Sequence, residues 1–463
     1  MAQQYDVIII GSGPGGYVAG IRAGQLGLKV AVVERDPFFG GTCLHRGCIP
    51  TKALLHTATV LEEIREAGEL GIGVGAPELD LGKAQERKQS VVDKNARGIA
   101  GLFKKYKVDG IQGTGRIAGA GKVEVTHEGE TTPYETKNIL IATGSLPREI
   151  PIAKVDGERI INSDHILKIG RVPQTLAVLG AGAVGTEFAS MFASFGSKVT
   201  VIEMLDRLLP VEDAEVSKEI ERAFRKRGIQ SMTGTKLAGV ETTEGGVKLS
   251  FDGSDKTVEA EVLLVAVGRG PYTEGLGLES VGIETERGFI ATDGMMRTSA
   301  EGVYAIGDVV AAPPWLAHKA SAEGIVAVEH MAGHETRPID YTKVPSVVFT
   351  TPEVGSVGLS EQAAREAGYD VAVGKFPFTA LGKAAIEGKT AGFVKIVRDT
   401  KYDEVLGVHI VGLHATDLIA EACAALQLEA TAEELFRAVH AHPTLAEAMA
   451  EAAHASHGSA IHF

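Results

Sequence analysis

Three cysteines in 463 residues are too few for a secreted scaffold held by disulfides, which needs dense cross-links where the core is small. Long apolar runs are also missing. None approaches the roughly 18 residues of a membrane span, so no membrane insertion is expected. The N-terminus passes from Met1 into Val7-Ile8-Ile9-Ile10 with no basic segment before it, so no export signal is expected and the cytoplasm is the expected compartment. Basic residues are outnumbered, 46 Lys and Arg against 60 Asp and Glu, for a formal charge of -14. That balance argues against a nucleic-acid partner, which would call for a basic face. What the chain has in excess is glycine, 57 residues, about twelve per cent against a usual value near seven. In a chain with 44% hydrophobic and 23% charged residues, that excess points to many tight strand-to-helix turns. A chain of this length should divide into roughly three or four domains.

The turns have a pattern. Val7 to Ile10 is a short apolar run, as a buried parallel strand requires. It leads into Gly11-Ser12-Gly13-Pro14-Gly15-Gly16, then a small-residue helix over Tyr17 to Leu26, then a strand Val30 to Val33 ending at Glu34. Glycines at 11, 13 and 16 let backbone approach a pyrophosphate at a helix N-terminus, and the acid accepts hydrogen bonds from a ribose diol. The unit recurs. Leu176 to Leu179 leads into Gly180-Ala181-Gly182-Ala183-Val184-Gly185, a helix to about Phe195, and a strand Val199 to Ile202 ending at Glu203. In both copies the acid stands 23 positions after the first glycine. One such loop alone could be a structural turn; two in full strand–turn–helix–strand context predict two dinucleotides, one resident and one exchanging. Glu203 favours NAD over NADP, whose 2′-phosphate it would repel. Arg207 lies beyond the strand end and is the weaker signal.

Cys43-Leu44-His45-Arg46-Gly47-Cys48 follows the first unit directly. Cα atoms five apart on a regular helix are roughly 8–9 Å apart, whereas a disulfide needs about 4.4–6.8 Å. If the two bond, they cannot share an undistorted helix; Gly47 and the Gly40-Gly41-Thr42 turn provide the freedom to distort. Pro50 reads as a first-turn residue. Cys48 then lies at a helix N-terminus, with Lys52 about one turn on, a setting that favours a thiolate. Two buried cysteines or half a zinc site are the competing readings. Zinc needs further ligands at motif spacing, and no metal is expected. Cys423, in an apolar helix, reads as a small buried hydrophobe.

Near the C-terminus, Thr431 to Glu434 has capping-box form and begins a helix expected to run to about Val439. His440-Ala441-His442-Pro443 follows. Proline biases His442 away from helix, leaving an imidazole on a turn, suited to proton transfer with a thiol. Thr444-Leu445-Ala446-Glu447 fits a second capping box. Glu447 is therefore a structural cap or the carboxylate that orients His442, and spacing alone does not separate the two. It barely separates His440 from His442.

Several stretches run in order along nearly the whole chain: Gly41-Thr42-Cys43 through Cys48-Ile49-Pro50-Thr51-Lys52, Ala142-Thr143-Gly144, Gly180 to Glu187, Val303 to Asp308, Leu316-Ala317-His318-Lys319, and His440 to Thr444. On these the chain resembles the flavin disulfide reductases, the FAD-dependent pyridine nucleotide-disulfide oxidoreductases, and most of all their branch that acts on dihydrolipoyl groups. The resemblance implies FAD held by Gly11, Gly13, Gly16, Glu34, Gly41, Thr42, Lys52, Gly115, Thr143, Gly144, Asp308 and Ala317. It implies NAD held by Gly180, Gly182, Gly185, Glu203 and Gly268. It implies that Cys48 faces the flavin, that Cys43 exchanges with the dithiol, and that Lys52 pairs with Glu187 beside the ring. His442, oriented by Glu447, would be the base, serving the other subunit of a homodimer. Ala446 and His45-Arg46 depart from the residues usual in relatives at those places.

The expected fold class is α/β, with two Rossmann-like dinucleotide-binding domains plus a C-terminal α+β dimerisation domain. Residues 1–150 would bind FAD, with a polar helical stretch from Leu61 to Lys107 inserted. Residues 151–270 would bind NAD, 271–340 would form a central domain completing the FAD site, and 341–463 the interface domain. The implied reaction is oxidation of a dihydrolipoyl group, carried by a subunit of a 2-oxo acid dehydrogenase or similar complex, with NAD as acceptor. The alternative is an NAD(P)H-dependent reductase of another disulfide such as glutathione, which Glu203 opposes in its NADPH form. A metal-ion reductase and a redox sensor without turnover are more distant readings.

Overall fold

Apolar runs between glycine turns dictate parallel strands covered on both faces, and such strands set the architecture. The structure, a computed structural model, describes residues 4–463. The chain forms two compact units, each discontinuous in sequence. Residues up to 54, 82–148 and 268–341 build the first; residues 55–81, 149–267 and 342–463 build the second.

In the first unit Gln4–Ile10 pairs in parallel with Val30–Glu34 on one side and Glu130–Ile141 on the other. Asp109–Gln112 extends the parallel set beyond Val30–Glu34. Val7, Ile8 and Ile9 are completely buried, each worth roughly 1.5–3 kcal/mol by transfer from water. Thr114–Gly119 and Lys122–His127 add an antiparallel edge to Glu130–Ile141. The short strand Val303–Ala305 docks in parallel on Glu130–Ile141, which places Asp308 just past a strand end. Helix Pro14–Gln25 crosses helix Ala317–Met331 closely, because a Cβ on Gly324 would come within 2.7 Å of the Gly15 carbonyl oxygen.

The stretch expected to be helical from Leu61 to Lys107 is two helices, Cys48–Glu66 and Leu81–Tyr106. Between them, Gly71, Gly73 and Gly75 with Pro77 stop the helix, since glycine and proline are the poorest helix formers. Among the described residues, no helix is long and apolar enough to cross a membrane.

The second unit has a five-stranded parallel sheet in the order Gln230–Met232, Lys198–Ile202, Thr175–Leu179, Val262–Val265, Ile160–Ile161. A three-stranded antiparallel sheet over 237–260 packs against it through Leu237, Leu249 and Phe251. The C-terminal portion is a five-stranded antiparallel sheet, ordered Ser346–Val348, Glu353–Gly358, Val405–Gly412, Phe393–Asp399, Val371–Pro377. Helices Ala415–Gln427 and Glu447–Ser456 share its core with Phe376, Phe378 and Ile410. The architecture is α/β with an α+β C-terminal part.

Candidate active site

Each glycine-rich loop is closed by its own acid. In the first, Glu34 is buried and accepts from the Ser12 amide at 3.0 Å, the Ser12 hydroxyl at 2.5 Å and the Asp36 amide at 2.9 Å. A Cβ on Gly11 would strike the Ala142 carbonyl, and one on Gly16 the Gly11 carbonyl, so both must be glycine. Gly13 faces open space. It caps helix Pro14–Gln25 without a side-chain bond, which leaves amide N–H groups aimed at an anion.

The cysteines follow from this loop. Gly41, in the left-handed region at φ +60°, lies so close that its Cβ would sit 2.6 Å from the Gly13 Cα. Gly40 donates its amide to the Ser12 hydroxyl at 3.0 Å. Helix Gly41–Arg46 carries Cys43 and helix Cys48–Glu66 starts on Cys48, with the break at Gly47. The break is where the five-residue spacing demands one. A Cβ on Gly47 would meet the Thr42 carbonyl oxygen at 3.0 Å. His45 contacts the Phe39 carbonyl at 2.9 Å and Arg46 pairs with Asp36, which pins the segment to the end of strand Val30–Glu34. The structure holds the two cysteines without a disulfide bond between them. The hydrogen bond of the Cys43 thiol to Cys48, then burial, then the charge of Cys48 push its pKa well up, against the pull of the Cys48 amide and Lys52. Burial and the charge of Cys43 raise Tyr17 in turn.

The second loop repeats the first. Glu203 accepts from the Ala181 amide at 2.7 Å and the Leu205 amide at 2.8 Å. Cβ atoms on Gly180 and Gly185 would strike the Ala266 and Gly180 carbonyls, while Gly182 is open and caps helix Ala183–Phe195. Arg207 turns to the Pro210 carbonyl at 3.0 Å.

At the C-terminus the two histidines part. His440 is nearly buried, with Nε2 2.7 Å from Glu421 and Nδ1 2.8 Å from the Ala438 carbonyl. His442 is 76% exposed, and its Nδ1 lies 2.9 Å from Glu447. Glu447 also accepts from the Thr444 amide at 2.8 Å, so one carboxylate caps and orients together. Burial opposes its ionisation, but the Thr444 amide and His442 outweigh that and hold it below the usual carboxylate range.

Residues 5–324 match the family described as pyridine nucleotide-disulphide oxidoreductase, and residues 344–453 match the dimerisation domain of the same family. The chain belongs to the pyridine nucleotide-disulphide oxidoreductases. It is 48% identical to the dihydrolipoyl dehydrogenase of Bacillus subtilis strain 168, with both chains covered in full. The crystal structure of LpdA from Mycobacterium tuberculosis superposes with a TM-score of 0.91 at 30% identity, covering 97% of this chain and 99% of the other. The HOCl-induced flavoprotein disulfide reductase RclA of Escherichia coli gives a TM-score of 0.86 at 28% identity, again over 97% and 99%.

For this oxidoreductase, the two glycine cradles, open at Gly13 and Gly182 and closed behind by backbone, fit the pyrophosphates of two dinucleotides. The remaining residues expected at the site fall as follows. Lys52 is on the helix that Cys48 begins, and Thr42 is on the preceding one. Gly115 is in strand Thr114–Gly119, its side-chain space taken by Ile10 and Val33. Thr143 donates to the Tyr272 carbonyl at 2.6 Å, and Gly144 has φ +69°. Asp308 accepts from the Ser145 hydroxyl at 2.6 Å, and Ala317 begins helix Ala317–Met331. Glu187 is buried in the second unit and accepts the Phe349 amide at 3.0 Å. Gly268, with φ +100°, directly follows Ala266 and Val267, whose backbone lies against Gly180.

Three expectations need correction. The helix after Thr431 ends at Arg437, before Val439. The capping box expected at Thr444 forms only in half: Glu447 accepts the Thr444 amide, but the Thr444 hydroxyl turns back to the Ala441 carbonyl, and the C-terminal helix starts at Glu447. Cys423 is half-buried at the margin of the core. Sequence reading also missed Ser12 and Ser145, which orient Glu34 and Asp308, and the buried pair Lys319–Glu323. Only the last had a signal, a Lys and a Glu four apart on one helix face.

Proposed function

We propose that this chain oxidises a protein-bound dihydrolipoyl group to the lipoyl disulfide, with NAD as acceptor, through a Cys43–Cys48 disulfide and FAD. The supporting observation is a hydrogen-bonded thiol pair whose segment rests on a dinucleotide cradle through Gly41. Gly11, Gly13, Gly16, Glu34, Gly41, Thr42, Gly115, Thr143, Gly144, Asp308 and Ala317 are assigned to FAD. Gly180, Gly182, Gly185, Glu203 and Gly268 are assigned to NAD. Bound FAD supplies the two-electron chemistry that links a dithiol to a nicotinamide.

The chain's own side chains handle sulfur and protons. His442, oriented by Glu447, takes the proton of one substrate thiol, because the thiolate is the nucleophile. The thiolate attacks the Cys43 sulfur, the Cys43–Cys48 bond breaks, and Cys48 leaves as a thiolate. The second substrate thiol then attacks the substrate sulfur of the mixed disulfide, its proton passes to the departing Cys43 sulfur, and the lipoyl disulfide leaves. His442 keeps the first proton as the positive partner of the Cys48 thiolate. Two electrons stay on the cysteine pair. Lys52 and Glu187 are assigned the electrostatics beside the flavin.

The working unit is a homodimer in which His442 serves the disulfide of the other subunit. Its partner is the lipoyl-bearing subunit of a 2-oxo acid dehydrogenase or similar complex, in the cytoplasm. Residues 1–150, 151–270, 271–340 and 341–463 are taken as the FAD, NAD, central and interface domains. Steady-state turnover of dihydrolipoamide with NAD, set against oxidised glutathione with NADPH, tests the reading. Activity is expected with the first pair and lost in Cys43→Ser and Cys48→Ser; equal or faster turnover of the second pair overturns it.

A further inference from the structure

We infer that the buried Lys319–Glu323 pair, together with Tyr341, is a positioning device for FAD, fixing the turn that presents Asp308. The inference rests on the assignment of Asp308 to FAD.

Lys319 and Glu323 have fully buried side chains, 3.1 Å apart on successive turns of helix Ala317–Met331. Every polar atom of the pair is used, and each partner of the pair holds one backbone group of Gly307. The Lys319 ammonium donates to the Ala312 carbonyl at 2.8 Å and reaches the Gly307 carbonyl at 3.4 Å. One oxygen of Glu323 accepts the Gly307 amide at 2.7 Å, and the other accepts the Tyr341 hydroxyl at 2.7 Å. Both faces of the Gly307 backbone are thus held from the helix. Gly307 has φ +78° and immediately precedes Asp308. The Asp308 side chain is fixed separately, by the Ser145 hydroxyl, which itself accepts from Arg269 at 2.7 Å.

The same helix is tied to the first glycine loop. The Ser321 hydroxyl donates to the Pro14 carbonyl at 3.2 Å, and Gly324 lies against Gly15. One rigid element therefore sets the separation between the pyrophosphate cradle and the Asp308 turn. A buried ion pair is a poor source of stability, since desolvation offsets the attraction and apolar replacements are often as stable. Its value here is that its hydrogen bonds specify a backbone position that apolar packing would leave loose. Burial raises the Glu323 carboxyl, against the pull of Lys319, Gly307 and Tyr341.

The test uses full-length holoenzyme and two readouts: FAD release after dilution, followed by regained flavin fluorescence, and the thermal midpoint with FAD in excess. The variant Lys319→Met/Glu323→Leu is expected to lower the thermal midpoint only modestly, as the Gly307 amide and the Tyr341 hydroxyl lose their acceptor, and to release FAD about tenfold faster or more, beyond what that loss of stability accounts for. Asp308→Asn is expected to speed release as well, and adding it to the apolar variant should give less than the product of the separate effects, because both act on one turn. If Asp308→Asn speeds release and the apolar variant does not, the pair is structural only and the inference fails while the Asp308 assignment stands. Multiplicative effects also overturn the inference. If Asp308→Asn leaves release unchanged, the assignment fails and takes the inference with it. A lowered midpoint that accounts for the FAD loss by itself counts against positioning.

Discussion

Gly41→Ala tests whether the cysteine helix truly rests on the first glycine loop. The residue has φ +60°, and a Cβ there would lie 2.6 Å from the Gly13 Cα and 2.8 Å from its nitrogen. Carbon atoms prefer about 3.5–4.0 Å, so helix and loop must separate by about 1 Å. The left-handed conformation costs alanine about 1–2 kcal/mol, and forced overpacking adds about 1–3 kcal/mol. Gly27→Ala is an internal control in the same unit: φ is +79°, and nothing lies within 4 Å of its Cβ. It carries the conformational cost alone, about 1–2 kcal/mol. The difference between the variants isolates the close approach, and about 1.4 kcal/mol of it weakens a bound dinucleotide tenfold. Thermal unfolding and FAD release from the purified holoenzyme measure the two effects. Gly41→Ala should unfold at lower temperature than Gly27→Ala and lose FAD faster, while Gly27→Ala keeps its flavin. Matching midpoints and matching release in the two variants refute the packing of the cysteine segment on the loop.

Removing Cys48 should unmask Cys43: its bond to Cys48 is the largest cause of its raised pKa, so Cys48→Ala increases thiolate at neutral pH and speeds iodoacetamide alkylation of Cys43. Mass spectrometry gives the rate, and a slower or unchanged rate contradicts the reading. Glu447→Gln should lower dihydrolipoamide oxidation about 10²-fold or more, in line with a disabled proton-transfer group. Because the folded-state pKa of Glu447 is depressed, its ionisation contributes stability above the unfolded carboxylate value, near 4.3, and loses it as pH falls through the folded value. The thermal midpoint of the natural chain should therefore approach that of the Gln variant on acidification; a constant gap from pH 6 to pH 3 would falsify this. Glu203→Ala removes the acceptor of the Ala181 and Leu205 amides and the repulsion toward a 2′-phosphate. Its ratio of NADP to NAD turnover should rise, and an unchanged ratio places cofactor choice elsewhere.

Features carried by neighbouring residues could be read from the sequence. The strand–turn–helix–strand units, the acid at a fixed distance, and the break at Gly47 follow from steric limits and hydrogen bonds acting over a few residues to a few turns. Proline after His442 and glutamate at 447 likewise marked an exposed imidazole beside a carboxylate. Tertiary structure alone told His440 from His442, because Glu421, on a different helix, occupies His440. It alone brought Ser145 to Asp308, 163 positions away, and closed Lys319 and Glu323 onto the Gly307 turn with Tyr341. It alone split the chain into two discontinuous units. Such contacts depend on how whole helices and sheets pack, and packing answers to the summed burial of many residues. No local stretch of sequence contains that sum.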